Sequence, residues 1–115
     1  MTVNETNEAL KTIYKALDDK KAFDISVLDI HEVSVLADYF VIASGSNANQ
    51  LTAMEDAVDE AMYKNGVHQK QVEGSNNSTW ILMDYQDIIV HIFSEEDRQF
   101  YDLERMWRDG KIVEM

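Results

Sequence analysis

Two apolar runs, ending at Thr79 and Phe93, flank the polar tetrad Asp84-Tyr85-Gln86-Asp87, and this stretch limits the possible folds more than any other part of the chain. Two β-rich runs joined by a short polar turn pair as an antiparallel hairpin. With the turn centred between Tyr85 and Gln86, Met83 faces Ile88, Ile81 faces Val90 and Thr79 faces Ile92. That face is nearly all aliphatic and is expected to be core. The opposite face pairs Leu82 with Ile89 and Trp80 with His91, and Phe93 lies opposite Ser78. A slip of one residue would exchange the faces.

The rest of the chain supplies elements for this hairpin to pack against. A capping box, Thr2-x-x-Glu5, leads into a helix carrying Leu10, Ile13, Tyr14 and Leu17 at 3.6-residue spacing. The alternating stretch Phe23-Asp24-Ile25-Ser26-Val27-Leu28-Asp29-Ile30 predicts a strand. Tyr39-Phe40-Val41-Ile42-Ala43 is apolar on both faces and predicts a central strand. Ser44-Gly45-Ser46-Asn47 carries N-cap chemistry. A second helix then runs to about Lys64 along Leu51, Met54, Ala57, Val58, Ala61 and Met62, and Asn65-Gly66 stops it. Residues 67–72 form a weaker strand and residues 73–78 a loop. A last helix spans residues 95–108, with Phe100, Leu103, Met106 and Trp107 on one stripe and a Glu104–Arg108 pair. Nothing marks a linker or repeat, so residues 1–115 are expected as one domain, with 1–7 and 111–115 as flexible termini.

Charge narrows the function classes. The 115 residues carry 10 basic and 22 acidic side chains, a net charge of −12, and no Cys. The absence of Cys removes disulfide, zinc-thiolate and thiol-nucleophile chemistry. Binding to nucleic acid by counterion release needs clustered Lys and Arg; here the basic residues are scattered, and direct nucleic-acid binding is not expected. An anionic membrane surface is disfavoured for the same reason. No apolar run approaches a transmembrane span, and the N-terminus carries neither a signal nor a transit pattern. The expectation is a cytoplasmic protein whose charge either only aids solubility or steers it toward a basic partner.

Candidate sites are few. The strand–Gly45-Ser46–helix order is compatible with a phosphate-binding turn and is similar to the first motif of nucleotidyltransferases. That chemistry needs paired carboxylates on a neighbouring strand, and the nearest acidic pair is Asp84 and Asp87 at the hairpin turn. His31, His68 and His91 are too far apart for a local metal motif. His91 with Glu95, Glu96 and Asp97 could hold a metal, but those carboxylates suit the first turn of a helix. Ser44-Gly45-Ser46-Asn47 lacks the elbow of a serine hydrolase. Neither a metal nor a cofactor is expected. Trp80, Leu82, Ile89, His91 and Phe93 form an aromatic–aliphatic face rimmed by Asp84 and Asp87. If open, it has the make-up of a protein–protein hot spot; if a helix covers it, it is second-side core. Periodicity alone leaves both readings standing.

The run Trp80-Ile81-Leu82-Met83-Asp84-Tyr85-Gln86-Asp87-Ile88-Ile89-Val90-His91-Ile92-Phe93, with Arg98-Gln99-Phe100-Tyr101-Asp102-Leu103-Glu104-Arg105-Met106-Trp107, resembles the signature of the ribosomal silencing factor (RsfS, or Iojap) family. So do Leu17-Asp18-Asp19-Lys20-Lys21-Ala22-Phe23-Asp24-Ile25 and Ala37-Asp38-Tyr39-Phe40-Val41-Ile42-Ala43-Ser44-Gly45. The likeness covers about residues 8–109, and it departs at Gln86, where many relatives carry Gly. The resemblance implies an α/β, α+β-like domain with a mixed five-stranded sheet flanked by helices and a nucleotidyltransferase-like topology, without enzymatic activity. It implies binding to the large ribosomal subunit through its fourteenth protein, which obstructs joining of the small subunit and represses translation when nutrients are scarce. The contact surface would centre on Trp80, with Leu82, Asp84, His91 and Phe93 as neighbours. The alternatives are a nucleotidyltransferase-like or nucleotide-binding protein, and a module that forms a homodimer through the same patch.

Overall fold

A computed structural model describes residues 3–35, 37–69, 71–74, 79–101, 105 and 110–114. In chain order the elements are α1 (Val3–Asp19), β1 (Phe23–Asp29), β2 (Tyr39–Gly45), α2 (Ala48–Lys64), β3 (Gln71–Glu73), β4 (Trp80–Asp84), β5 (Ile88–Ser94), α3 (Glu95–Tyr101) and β6 (Lys111–Ile112). The strands form one mixed sheet in the order β3-β4-β5-β2-β1-β6. The central pair, β2 and β5, is parallel, and the other pairings are antiparallel. Central position explains why β2 is apolar on both sides.

Helices α1 and α2 cover one face of this sheet. Leu10, Ile13 and Leu17 of α1 and Leu51, Met54, Val58 and Met62 of α2 share a core with Val27, Val41, Ile81, Met83, Val90 and Ile92. The 3–4 residue spacing on the helices and the two-residue spacing on the strands bring these side chains to one interface. Gly45 lies where β2 runs beneath α2. A Cβ there would sit 2.7 Å from Leu51 Cδ2 and 3.1 Å from Met54 Sδ. At the start of α2, Asn47 accepts from the Gln50 N–H at 2.9 Å. The Gln50 amide donates to the carbonyls of Lys20 and Lys21 at 3.1 and 3.0 Å, which ties α2 to the α1–β1 corner.

Beyond residues 3–7, expected in a flexible terminus but part of α1, the structure departs from the sequence reading at three places. The sheet has six strands rather than five, because Lys111–Ile112, in the expected flexible tail, pairs with Asp29 and Leu28. A strand of two residues is too short to carry a periodicity. The weak strand expected at residues 67–72 is Gln71–Glu73.

The third departure is the hairpin, which turns one residue later than expected. The Tyr85 N–H donates to the Ile88 carbonyl at 2.9 Å, so the loop is Gln86-Asp87. Trp80 then pairs with Phe93, Ile81 with Ile92, Leu82 with His91 and Met83 with Val90. Moving the centre by one residue moves the register by two, so the faces survive while the partners change. Tyr85 thereby leaves the turn and joins the core, 3% exposed. Gln86 takes a φ of 76° to allow this. A positive φ costs about 1–2 kcal/mol, while burying an aromatic ring of about 150–250 Å² at about 25 cal/mol/Å² returns more. Asp84 also accepts from the Gln86 N–H at 2.7 Å, bracing the turn.

The capping residue Thr2, most of the final helix with Phe100, Leu103, Met106 and Trp107, and the Glu104–Arg108 pair lie outside the described residues or side chains.

Candidate functional site

The face opposite α1 and α2 carries all five residues singled out from the sequence. Side chains directly across a ladder share a face, so the pairings give rows. One row runs Glu73, Leu82, His91, Ile42, Ser26, and the next Gln71, Asp84, Ile89, Phe40, Leu28, Ile112. A third runs Trp80, Phe93, Ser44.

These rows have two levels. Phe93, His91, Phe40 and Ile42 form a buried floor, with Phe93 at 1% and His91 at 4% exposure. Trp80, Leu82, Asp84 and Ile89 are half-buried and reach the surface. Of the five candidates, then, three are at the surface and two support them from beneath. Trp80 stacks on Phe93 with ring centroids 5.0 Å apart, and its Nε1–H donates to His91 Nδ1 at 3.2 Å. Phe40 meets the His91 ring edge-on at 4.8 Å.

Burial among these rings pulls the His91 imidazole down to about 4, well below its ordinary 6.5, because a cation there would lose its water. Accepting the indole proton at Nδ1 places the neutral ring's own proton on Nε2. That Nε2 is buried with no hydrogen-bond partner among the described residues.

Acidic groups gather at one end of the face. Asp84 and Asp87 flank the turn, and the exposed Asp38 lies beside them, its N–H donating to the Asp87 carbonyl at 2.9 Å. At the other end α3 is held by Arg98. Its guanidinium donates to Ser44 Oγ at 2.9 Å, to Ser26 Oγ at 3.3 Å and to the Asp24 carbonyl. Sequence reasoning passed over this clamp, since a lone Arg in an acidic helix start carries no pattern. It also missed Ile112, which extends the apolar row at 78% exposure. Val33 and Val35, in the connection from β1 to β2, are further exposed apolar side chains.

The chemical alternatives meet geometric obstacles. Gly45 and the Asp84–Asp87 turn sit at opposite ends of the sheet, because Tyr39 pairs with Ile88 and Gly45 with Ser94. Six residues of strand separate those ends by about 20 Å, so these groups do not share a nucleotide site. The Ser46 N–H is taken by Gln50 Oε1 at 2.6 Å. His91 is buried, whereas Glu95 and Glu96 are exposed on α3. No group of three or more potential ligands among the described residues could hold a metal ion. His31 is exposed and pairs with Asp29 at 2.5 Å. The Asp29 carboxyl is pushed up by partial burial, but hydrogen bonds from His31 outweigh this and hold it below its ordinary value. No described helix is long and apolar enough to cross a membrane.

Comparison with known proteins adds three findings. The family model described as "Ribosomal silencing factor during starvation" matches residues 3–115. A ribosomal silencing factor of Bacillus subtilis is 36% identical over 106 residues, 92% of this chain and 90% of that protein, and one of Zymomonas mobilis is 40% identical over 101 residues, 88% and 76% respectively. A crystal structure of a Chromobacterium violaceum protein superposes with a TM-score of 0.87 at 29% identity, covering 100% of this chain and 92% of the other.

Proposed function

The chain belongs to the ribosomal silencing factor family, and from that premise we propose that it docks on the large ribosomal subunit and stands where the small subunit would join. The contact is the subunit's fourteenth protein, and the outcome is repressed translation when nutrients are scarce. The activity is steric and needs no catalysis, metal or cofactor, and it is exercised in the cytoplasm.

One observation carries this reading: Trp80 stands half-buried on the sheet face away from α1 and α2, with Leu82 next along its strand and Ile89 and the acidic groups toward the far end of the face. Indole-centred patches with a polar rim concentrate binding energy. A chain of net charge −12 is repelled by RNA phosphate, so a cationic ribosomal protein is the partner its field favours. His91 and Phe93 belong to the site as its floor. A stable contact of this kind buries about 1,200–2,000 Å² in total.

Co-sedimentation with purified large subunits tests the proposal. Trp80→Ala is expected to weaken binding by more than about 2 kcal/mol while the protein stays folded, with a lower thermal midpoint because Phe93 and His91 lose their partner. Equal sedimentation of the variant and wild type would remove this face as the docking site.

A further inference from the structure

We propose that His91 is the positioning residue for docking: its Nδ1 holds the Trp80 indole N–H, so that Trp80 meets the partner with its ring carbons and not as a hydrogen-bond donor. The inference rests on the docking role assigned above to this face.

The geometry of the pair is asymmetric. Trp80 belongs to β4, flanked on its outer side only by the three-residue β3. It is half-buried. His91 lies in β5, which is paired on both sides. Its ring is enclosed by Phe40 at 4.8 Å and by Phe93 at 6.0 Å with planes only 7° apart. A buried acceptor therefore holds a more exposed donor at 3.2 Å. Phe93 stacked on the indole at 5.0 Å fixes one ring face, and the bond to Nδ1 fixes rotation within that plane.

Two consequences follow for recognition. An indole ordered before contact does not lose its rotamer freedom on binding, which is worth about three- to tenfold in affinity. With its donor already engaged, the indole meets a partner through ring carbons. The matching partner group is a basic side chain whose aliphatic stem lies along the exposed edge of Trp80 and Leu82. The acidic groups Asp84 and Asp87, at the far end of the same strand and its turn, suit further basic groups of that partner.

The test uses the intact protein and purified large ribosomal subunits. His91→Phe keeps the ring and removes the acceptor; His91→Asn shrinks the side chain but keeps an acceptor near the Nδ1 position. His91→Phe is expected to bind about five- to tenfold more weakly, and the Trp80 indole N–H resonance, assigned through Trp80→Phe, moves and exchanges faster. His91→Asn is expected to stay within about threefold of wild type and keep the indole signal. If His91 merely fills space, the order reverses: Phe is tolerated and Asn is not. That reversal, or an indole signal unchanged in His91→Phe, overturns the proposal. Should His91→Phe fail to fold, the tautomer of wild-type His91 decides, and a proton found on Nδ1 overturns it. If Trp80→Ala itself leaves binding intact, the docking reading falls and this inference with it. If Trp80→Ala weakens binding and His91→Phe does not, only the positioning role is lost.

Discussion

Lowering the pH from about 7 to about 5 is expected to remove about 2 kcal/mol of folding stability through His91 alone. In the folded chain its imidazole is held down at about 4, against 6.5 when solvated. Between those values the unfolded chain binds a proton that the folded chain refuses, so stability falls as pH falls. The slope approaches 1.36 kcal/mol per pH unit, and the whole interval comes to about 3 kcal/mol. Two described groups act in the opposite sense. His31 is raised by its bond to Asp29, so its contribution is present at low pH and is lost as pH rises. Glu55 on α2 is raised by burial and by Asp56 and Asp59, so it too favours the folded state as pH falls. A difference between variants cancels both. Urea denaturation followed by circular dichroism, at about pH 7 and about pH 5, is compared for wild type and the non-titrating His91→Asn. Wild type is expected to lose about 2 kcal/mol more than the variant over that interval. Equal losses would mean that His91 charges freely in the folded state, and the burial argument would fail.

Other perturbations probe separate parts of the fold. Gln86→Gly is expected to stabilise the protein by about 0.5–1 kcal/mol, since glycine accepts the positive φ without strain while adding some unfolded-state entropy; a lower thermal midpoint would contradict the turn assignment. Gly45→Ala is expected to cost about 1–3 kcal/mol by forcing α2 away from β2, and an unchanged denaturation midpoint would show that the helix yields freely. Arg98→Lys keeps the charge but loses the forked geometry that reaches both Ser44 and Ser26, and is expected to cost about 1–2 kcal/mol. A loss below about 0.3 kcal/mol would mean that the clamp contributes little.

Much of this arrangement was legible in the chain. Alternation located β1, a run apolar on both faces located β2, and two apolar runs around a polar tetrad located β4 and β5; the 3.6-residue stripe of Leu51, Met54, Val58 and Met62 located α2, and the stretch Ser44-Gly45-Ser46-Asn47 held its cap, Asn47. The two faces of the hairpin were correctly separated even though its register was not, because a two-residue shift preserves sidedness. Placing the turn required weighing a strained Gln86 against the burial of Tyr85, a balance set by α2 and absent from local sequence. β6 was illegible because its two residues acquire strand geometry only beside Leu28 and Asp29. The residues around Trp80 were identifiable as one face. Their division into buried floor and exposed surface depends on packing by several strands at once, which no window along the chain contains.

The parallel neighbours at the centre of the sheet impose an order of assembly. β2 and β5 are separated in the chain by all of α2, β3 and β4, so loop closure across that span must precede their pairing. The β4–β5 hairpin, by contrast, joins across two residues and can form early. During synthesis β2 is therefore left as a bare edge until Ser94 has emerged, with the apolar row of Val41, Ile42 and Ala43 unpaired on that side. A chain halted anywhere between α2 and β5 exposes the stickiest strand of the molecule, so truncation in that interval yields an aggregating fragment, not a smaller working domain.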